Sequence, residues 1–109
     1  MLADQPEFVV GVDTHADQHT ICVIEARSQR TLLFASCPVS RQGYRRALRL
    51  ARRRAAGPRV WAVEGTGSYG KGLTRYLTGQ AEQVLEVEGS ARISVYPTGL
   101  SGGVVTIAA

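Results

Sequence analysis

Apolar residues in this chain come in short runs, each closed by polar or glycine-rich punctuation. Phe8 to Val12 is such a run, and it ends on Asp13, Thr14 and His15. A short run without alternation predicts a strand buried on both faces. Ala16-Asp17-Gln18 supplies a turn, and Thr20 to Ile24, rich in β-branched residues, predicts a second strand. Ala26 to Arg30 is polar, and Thr31 to Val39 predicts a third strand. The connections are too short for crossovers, so these three strands are expected to form an antiparallel meander.

Helical spacing follows. Ser40 is a good N-cap for a helix running to about Ala56, with Tyr44, Leu48, Ala51 and Ala55 recurring on one face. Gly57-Pro58 stops it. Val60 to Val63 predicts a fourth strand ending at Glu64. Gly65-Thr66-Gly67 is a turn, after which Ser68 is expected to cap a second helix to about Thr78, apolar at Leu73, Tyr76 and Leu77. Gln83 to Val87 predicts a short fifth strand. The order β-β-β-α-β-α-β predicts an α/β fold with a mixed sheet, and it is the order of the ribonuclease H-like fold. A strand–helix–strand crossover brings the fourth strand parallel to one of the first three. From Glu88 onward Gly-Ser, Pro97-Thr98-Gly99 and Ser101-Gly102-Gly103 break the chain. Residues 1–87 are therefore read as the domain, and 88–109 as a divergent, irregular tail.

Composition narrows the class. A chain of 109 residues is one domain at most, and 44% apolar residues excludes a disordered composition. No apolar run approaches the ~20 residues that span a membrane. Met1 to Glu7 carries two acids and no basic flank, so it is not read as a signal peptide, and the expected compartment is the cytoplasm. Cys22 and Cys37 show no metal-ligand spacing.

Charge changes the picture more. The formal charge is +4, and eight of the twelve arginines lie between Arg41 and Arg59. Arg45, Arg46, Arg49, Arg52 and Arg53 fall off the apolar stripe of the first helix and form a basic face. Two readings stay open: a solvated face, or a surface for nucleic-acid phosphates. Contacts there would go to backbone rather than bases, since no zinc finger or helix-turn-helix is visible.

Asp13 and Glu64 both close apolar strands, where acids are uncommon unless paired or bound to metal. If the first and fourth strands are parallel neighbours, about 4.8 Å apart, their carboxylates meet over one sheet edge. Such a pair suits Mg²⁺ held against a phosphodiester, because Mg²⁺ takes a few carboxylates and completes its octahedron with water and phosphate oxygens. Either acid alone could equally be an ordinary turn or hydrogen-bonded residue.

Gly11-Val12-Asp13-Thr14-His15, followed by Val63-Glu64-Gly65-Thr66-Gly67-Ser68-Tyr69-Gly70, resembles the paired signatures of bacterial insertion-sequence DEDD transposases, family one-ten in insertion-sequence nomenclature. The resemblance runs from about Phe8 to Val87. It implies a RuvC-like, ribonuclease H-like N-terminal domain, with Asp13 the first and Glu64 the second of four acids at a two-metal Mg²⁺ site. It also implies DNA transposition and recombination, with element-end and target DNA and a structured bridge (guide) RNA as partners; a homo-oligomer is left open, and no membrane is involved. After Val87 the sequence departs from the family pattern. No Asp occurs after Asp17, so the third and fourth acids are not found, nor is a C-terminal domain. The expectation is an N-terminal transposase fragment, impaired or inactive by itself.

Gly65 to Lys71 also satisfies the G-x-x-x-x-G-K part of a P-loop, but Gly72 stands where a metal-binding Ser or Thr belongs. The turn can still hold a phosphate at a helix start, which makes Gly65, Thr66, Gly67, Ser68 and Lys71 candidate nucleic-acid contacts beside Glu64. A tight turn needing glycine is the plain alternative. A non-catalytic nucleic-acid-binding fragment and a P-loop-like nucleotide-binding protein are the competing functions. His15 is expected to hydrogen-bond near the strand end, Trp61 to lie in the core, and Tyr69 and Tyr76 to pack.

Overall fold

Five strands and two helices follow one another in the predicted order through Val87. The computed structural model describes residues 6–64, 69–87, 92–97 and 103–108, with side chains for 6–63 and 69–87. The elements are β1 (Phe8–Thr14), β2 (Gln18–Glu25), β3 (Thr31–Pro38), α1 (Arg41–Arg54), β4 (Arg59–Glu64), α2 (Lys71–Gly79) and β5 (Val84–Val87). They build one sheet of order β3-β2-β1-β4-β5. β1 pairs antiparallel with β2, and β2 with β3, as the short connections require. β1 and β4 are parallel, with Phe8 opposite Arg59 and Val12 opposite Val63, and β4 and β5 are parallel as well.

Two further strands, β6 (Arg92–Pro97) and β7 (Gly103–Ala108), form a separate antiparallel pair with Arg92 opposite Ala108. This departs from the irregular tail expected for 88–109. Thr98 to Gly102, with two glycines and a serine, lies between two runs containing β-branched residues and so has the composition of a hairpin loop.

The central strands bury both faces. Val10, Val12, Trp61 and Val63 pack beneath the helices with Leu48, Ala51, Leu73 and Leu77. Val9, Val60 and Ala62, alternating with them, are buried on the opposite face beside Ala26. Among the described residues no helix is long and apolar enough to cross a membrane.

Local chemistry sets the helix ends. The Ser40 side chain accepts a hydrogen bond from the Gly43 N–H at 3.0 Å, so the expected N-cap is present. Gly43 sits against the Pro38 carbonyl, which a Cβ would overlap. Arginines fill the last turn of α1, where positive charge opposes the helix dipole. The second helix begins later than predicted. Lys71 is its first residue and Gly70 occupies the cap position without a side-chain bond, while Ser68, the expected cap, lies outside the described residues.

At its far end α2 closes in a Schellman motif: Glu82 N–H donates to the Leu77 carbonyl at 3.0 Å, and Ala81 N–H to Thr78 at 3.1 Å. The motif needs a left-handed residue, and Ala81 provides it at φ 63°. Glycine would hold that conformation without the Cβ clash.

The motif delivers Glu82 into a polar cluster that the sequence did not announce. Its carboxylate accepts from Arg59 Nε at 2.8 Å and Nη2 at 2.7 Å, from Trp61 Nε1 at 2.8 Å, and from Arg52 Nη2 at 3.2 Å. Arg59 also donates to the last carbonyl region of α1, at Ala55, at 3.0 Å. One carboxylate thereby ties the end of α1, the start of β4 and the end of α2. Burial pushes the Glu82 carboxyl up, but the bonds from Arg59 and Trp61 and the Arg59 charge outweigh this and hold it below its ordinary 4.5.

Two stability outcomes follow from this corner. Glu82→Gln strips the part-buried Arg59 of its counter-charge and should cost about 1.5–3 kcal/mol, the worth of hydrogen bonds to a charged group. Because the carboxyl is depressed, the wild-type advantage is present above pH 4.5 and fades as pH falls through the folded value. Ala81→Gly should instead stabilise by roughly 0.5–1 kcal/mol. Urea denaturation of the two variants at neutral and acidic pH checks both signs.

Candidate nucleic-acid-processing site

Asp13 is the penultimate residue of β1, exposed between the buried Val12 and Thr14. Alternation along the strand puts it on the face away from the helices. Its carboxylate is 64% exposed and receives His15 Nε2 at 3.2 Å, the strand-end hydrogen bond expected of His15. Glu64 ends β4, where its backbone pairs with Val87. The β1–β4 ladder runs to Val12 opposite Val63, and Asp13 and Glu64 are the residues that follow this last pair on the two parallel strands. The Glu64 side chain lies outside the described residues. Among the described residues no group of three or more His, Cys, Asp or Glu is gathered for a metal.

A family model of the IS110 DEDD transposases, described as a transposase, matches residues 10–96. The chain belongs to this transposase family. The match spans β1 to β6 and passes Val87, where the sequence resemblance was read to end. None of the curated proteins compared matches the chain. Membership of a transposase family implies interaction with DNA.

The other candidates of this transposase chain separate by position. Gly65, Thr66, Gly67 and Ser68 lie outside the described residues. Lys71 is exposed at the first turn of α2. Gly72 packs against Tyr44: a Cβ there would stand 2.5 Å from the tyrosine hydroxyl oxygen. A side chain at this position, as a P-loop requires, would displace the Tyr44 ring end.

Arg45, Arg46, Arg49, Arg52 and Arg53 are all exposed on α1, as the periodicity predicts. They are not equivalent. Arg52 is committed to Glu82 and to the Gln80 carbonyl at 3.1 Å. Arg46 lies beside Cys37; burial raises that thiol's pKa, opposed by the arginine. Arg45 and Arg49 form no hydrogen bond or ion pair among the described residues. They border a groove of about 660 Å³ between α1 and α2, together with Arg52 and Tyr76. Tyr76 packs as expected, but Tyr69 is 52% exposed and does not.

Sequence reasoning missed His19. It lies on the helix side of β2, opposite Thr14 of β1 and Cys37 of β3, and stacks on Tyr44 with ring centroids 6.2 Å apart. It is 2% exposed, and among the described residues its ring nitrogens have no well-formed hydrogen bond, only a weak approach to the Tyr69 backbone. Burial and the neighbouring His15 hold its pKa below the ordinary 6.5, against a small opposing influence of the Tyr69 backbone. The available signal was its period-2 phase with Ile21 and Val23, which places it in the core.

A neutral buried histidine makes stability pH-dependent. Below pH 6.5 the unfolded chain binds a proton that folded His19 does not, so stability is greatest above this value and falls as pH drops. In thermal melts from about pH 8 to pH 5, bracketing the ordinary histidine range, His19→Phe should show a flatter decline than wild type. Parallel declines would mean that His19 does not carry this dependence.

Proposed function

We propose that the chain is a ribonuclease H-like, RuvC-like catalytic portion of a DNA transposase, and that Asp13 and Glu64 form the part of its divalent-metal site present here. The observation carrying this reading is the parallel register of β1 and β4, which ends on Val12 opposite Val63, the residues immediately before the two acids. The strand order with its antiparallel β1–β3 meander and parallel β4 and β5 supports the ribonuclease H-like assignment.

The donor chemistry fits a hard cation. Asp13 offers exposed carboxylate oxygens, and its single described partner, His15, is displaceable and solvent-exposed. Mg²⁺ prefers such oxygens and retains water on its remaining positions. When bound, it supplies Lewis-acid polarisation of a phosphodiester oxygen. His15 restrains the Asp13 carboxylate in one orientation, and the rigid ladder fixes the separation of the two backbones. Two carboxylates also repel a phosphate, so this edge admits a nucleic acid only when a cation offsets their charge.

DNA at element ends and targets, a structured guide RNA, and self-association belong to the same proposal. Because no Asp follows Asp17, the acids at this edge are half of the four-acid set, and metal binding by this chain alone should be weak. A second reading, a nucleic-acid-binding chain without chemistry, draws on the free Arg45 and Arg49. The tight Gly72–Tyr44 contact weighs against P-loop nucleotide binding.

Mn²⁺ as a paramagnetic probe tests the acidic pair. It should broaden the backbone amide resonances around Asp13 and Glu64 first, and Asp13→Asn should remove the effect while leaving the melting temperature nearly unchanged, since the side chain is exposed. Broadening elsewhere, or broadening untouched by the substitution, would count against the metal assignment.

A further inference from the structure

The groove between α1 and α2 lies on the other side of the sheet from Asp13. Val12 packs under the helices, and Asp13, one residue on, faces away from them. A strand held at the acidic edge therefore does not occupy the groove without turning around the sheet. The groove is lined by Gln42, Arg45, Arg49, Arg52, Tyr76 and Gln80.

Its chemistry is specific. Arg45 and Arg49 are one helical turn apart, a rise of about 6 Å, and project along one line. Both lack an internal partner among the described residues, so their forks are available to anionic oxygens. Arg52 is held at the groove by Glu82 and the Gln80 carbonyl, which use its Nε and Nη2 and leave Nη1 without a described partner. Glu82, which pairs with Arg52, also pairs with Arg59 at 2.7 Å, so its charge is already matched. Tyr76 adds an aromatic ring, propped by Tyr44 at 6.0 Å between centroids. A duplex reader inserts a convex element into a DNA groove. A concave, arginine-lined channel with an aromatic ring is instead the arrangement that tracks a single strand, phosphates on the cations and a base against the ring.

We propose that the α1–α2 groove is a second nucleic-acid site, binding an unpaired strand through Arg45 and Arg49, separate from the strand processed at Asp13 and Glu64. It rests on the reading of the chain as nucleic-acid-binding, but not on the metal assignment.

The test is fluorescence anisotropy of the full chain with a labelled single-stranded oligonucleotide and with a duplex, over a salt series. Arg45→Ala/Arg49→Ala should reduce the slope of log affinity against log salt by about 1.4 for the single strand, two contacts at about 0.7 each. Arg27→Ala/Arg30→Ala removes the same charge from the exposed β2–β3 turn and should leave the slope close to wild type. Asp13→Asn should also leave it unchanged, so a failed metal site and a failed groove give different results. Equal losses in the two double variants would reduce the effect to net charge and overturn the proposal. So would an unchanged slope in the groove variant, tighter binding of the duplex, or equal competition by poly-glutamate, which would make the groove a site for acidic protein segments. Melting temperatures of both double variants should match wild type, since none of the four side chains is buried.

Discussion

The parallel pairing of β1 with β4 is the constraint on which the rest of the molecule depends. Parallel strands cannot be joined by a hairpin, so the chain must leave the sheet after β3, cross it, and re-enter. α1 is that crossing, and its apolar stripe of Leu48, Ala51 and Ala55 exists because it lies over Val10, Val12 and Trp61. Val9 and Val10 are both fully buried, on opposite faces, which is why the strand reads as an unbroken apolar run. This pairing also brings Val12 opposite Val63, 51 positions apart by their numbers, and with them the ends of the strands that carry Asp13 and Glu64.

Glu82 holds the opposite end of the same crossing. Burying a carboxylate is expensive, and its attraction to one cation does not always recover the cost. Here the forked Arg59 pair, the indole N–H and Arg52 together satisfy the oxygens, and the depressed pKa shows that they outweigh desolvation. The Schellman turn supplies the position, at the expense of holding a non-glycine residue, Ala81, at positive φ. Local strain is tolerated because the next residue makes several charge-assisted bonds.

What could be read in the sequence was whatever short-range patterning determines. The strands β1 to β5, Ser40 as a cap, and the arginine face of α1 all follow from spacing within a few residues. The parallel pairing of the two strands that carry Asp13 and Glu64 was legible too, because a helix separates them in the chain. Glu82 was not: its partners Arg52, Arg59 and Trp61 are 21 to 30 residues away, and no local signal distinguishes it from a loop acid. The start of α2 was misplaced because Ser68 has the composition of a cap, whereas Gly72 must lie under Tyr44, a contact between helices that propensity does not encode. The division among the arginines was hidden for the same reason. Periodicity exposes all five, and only the fold reveals that Arg52 is tied down while Arg45 and Arg49 have no partner among the described residues.

The distribution of charge has a consequence for how the molecule meets a polyanion. The helix layer carries the arginines, and an oligonucleotide approaching it gains from counterion release with no further requirement. At the strand edge Asp13 is exposed, and a carboxylate repels the same oligonucleotide unless a cation offsets its charge. On the proposed reading the two surfaces would therefore answer to different solution variables: monovalent salt for the helix layer, divalent cation for the acidic edge. Between them the central strands β1 and β4 are buried on both faces, so neither surface depends on the other for its own charge balance.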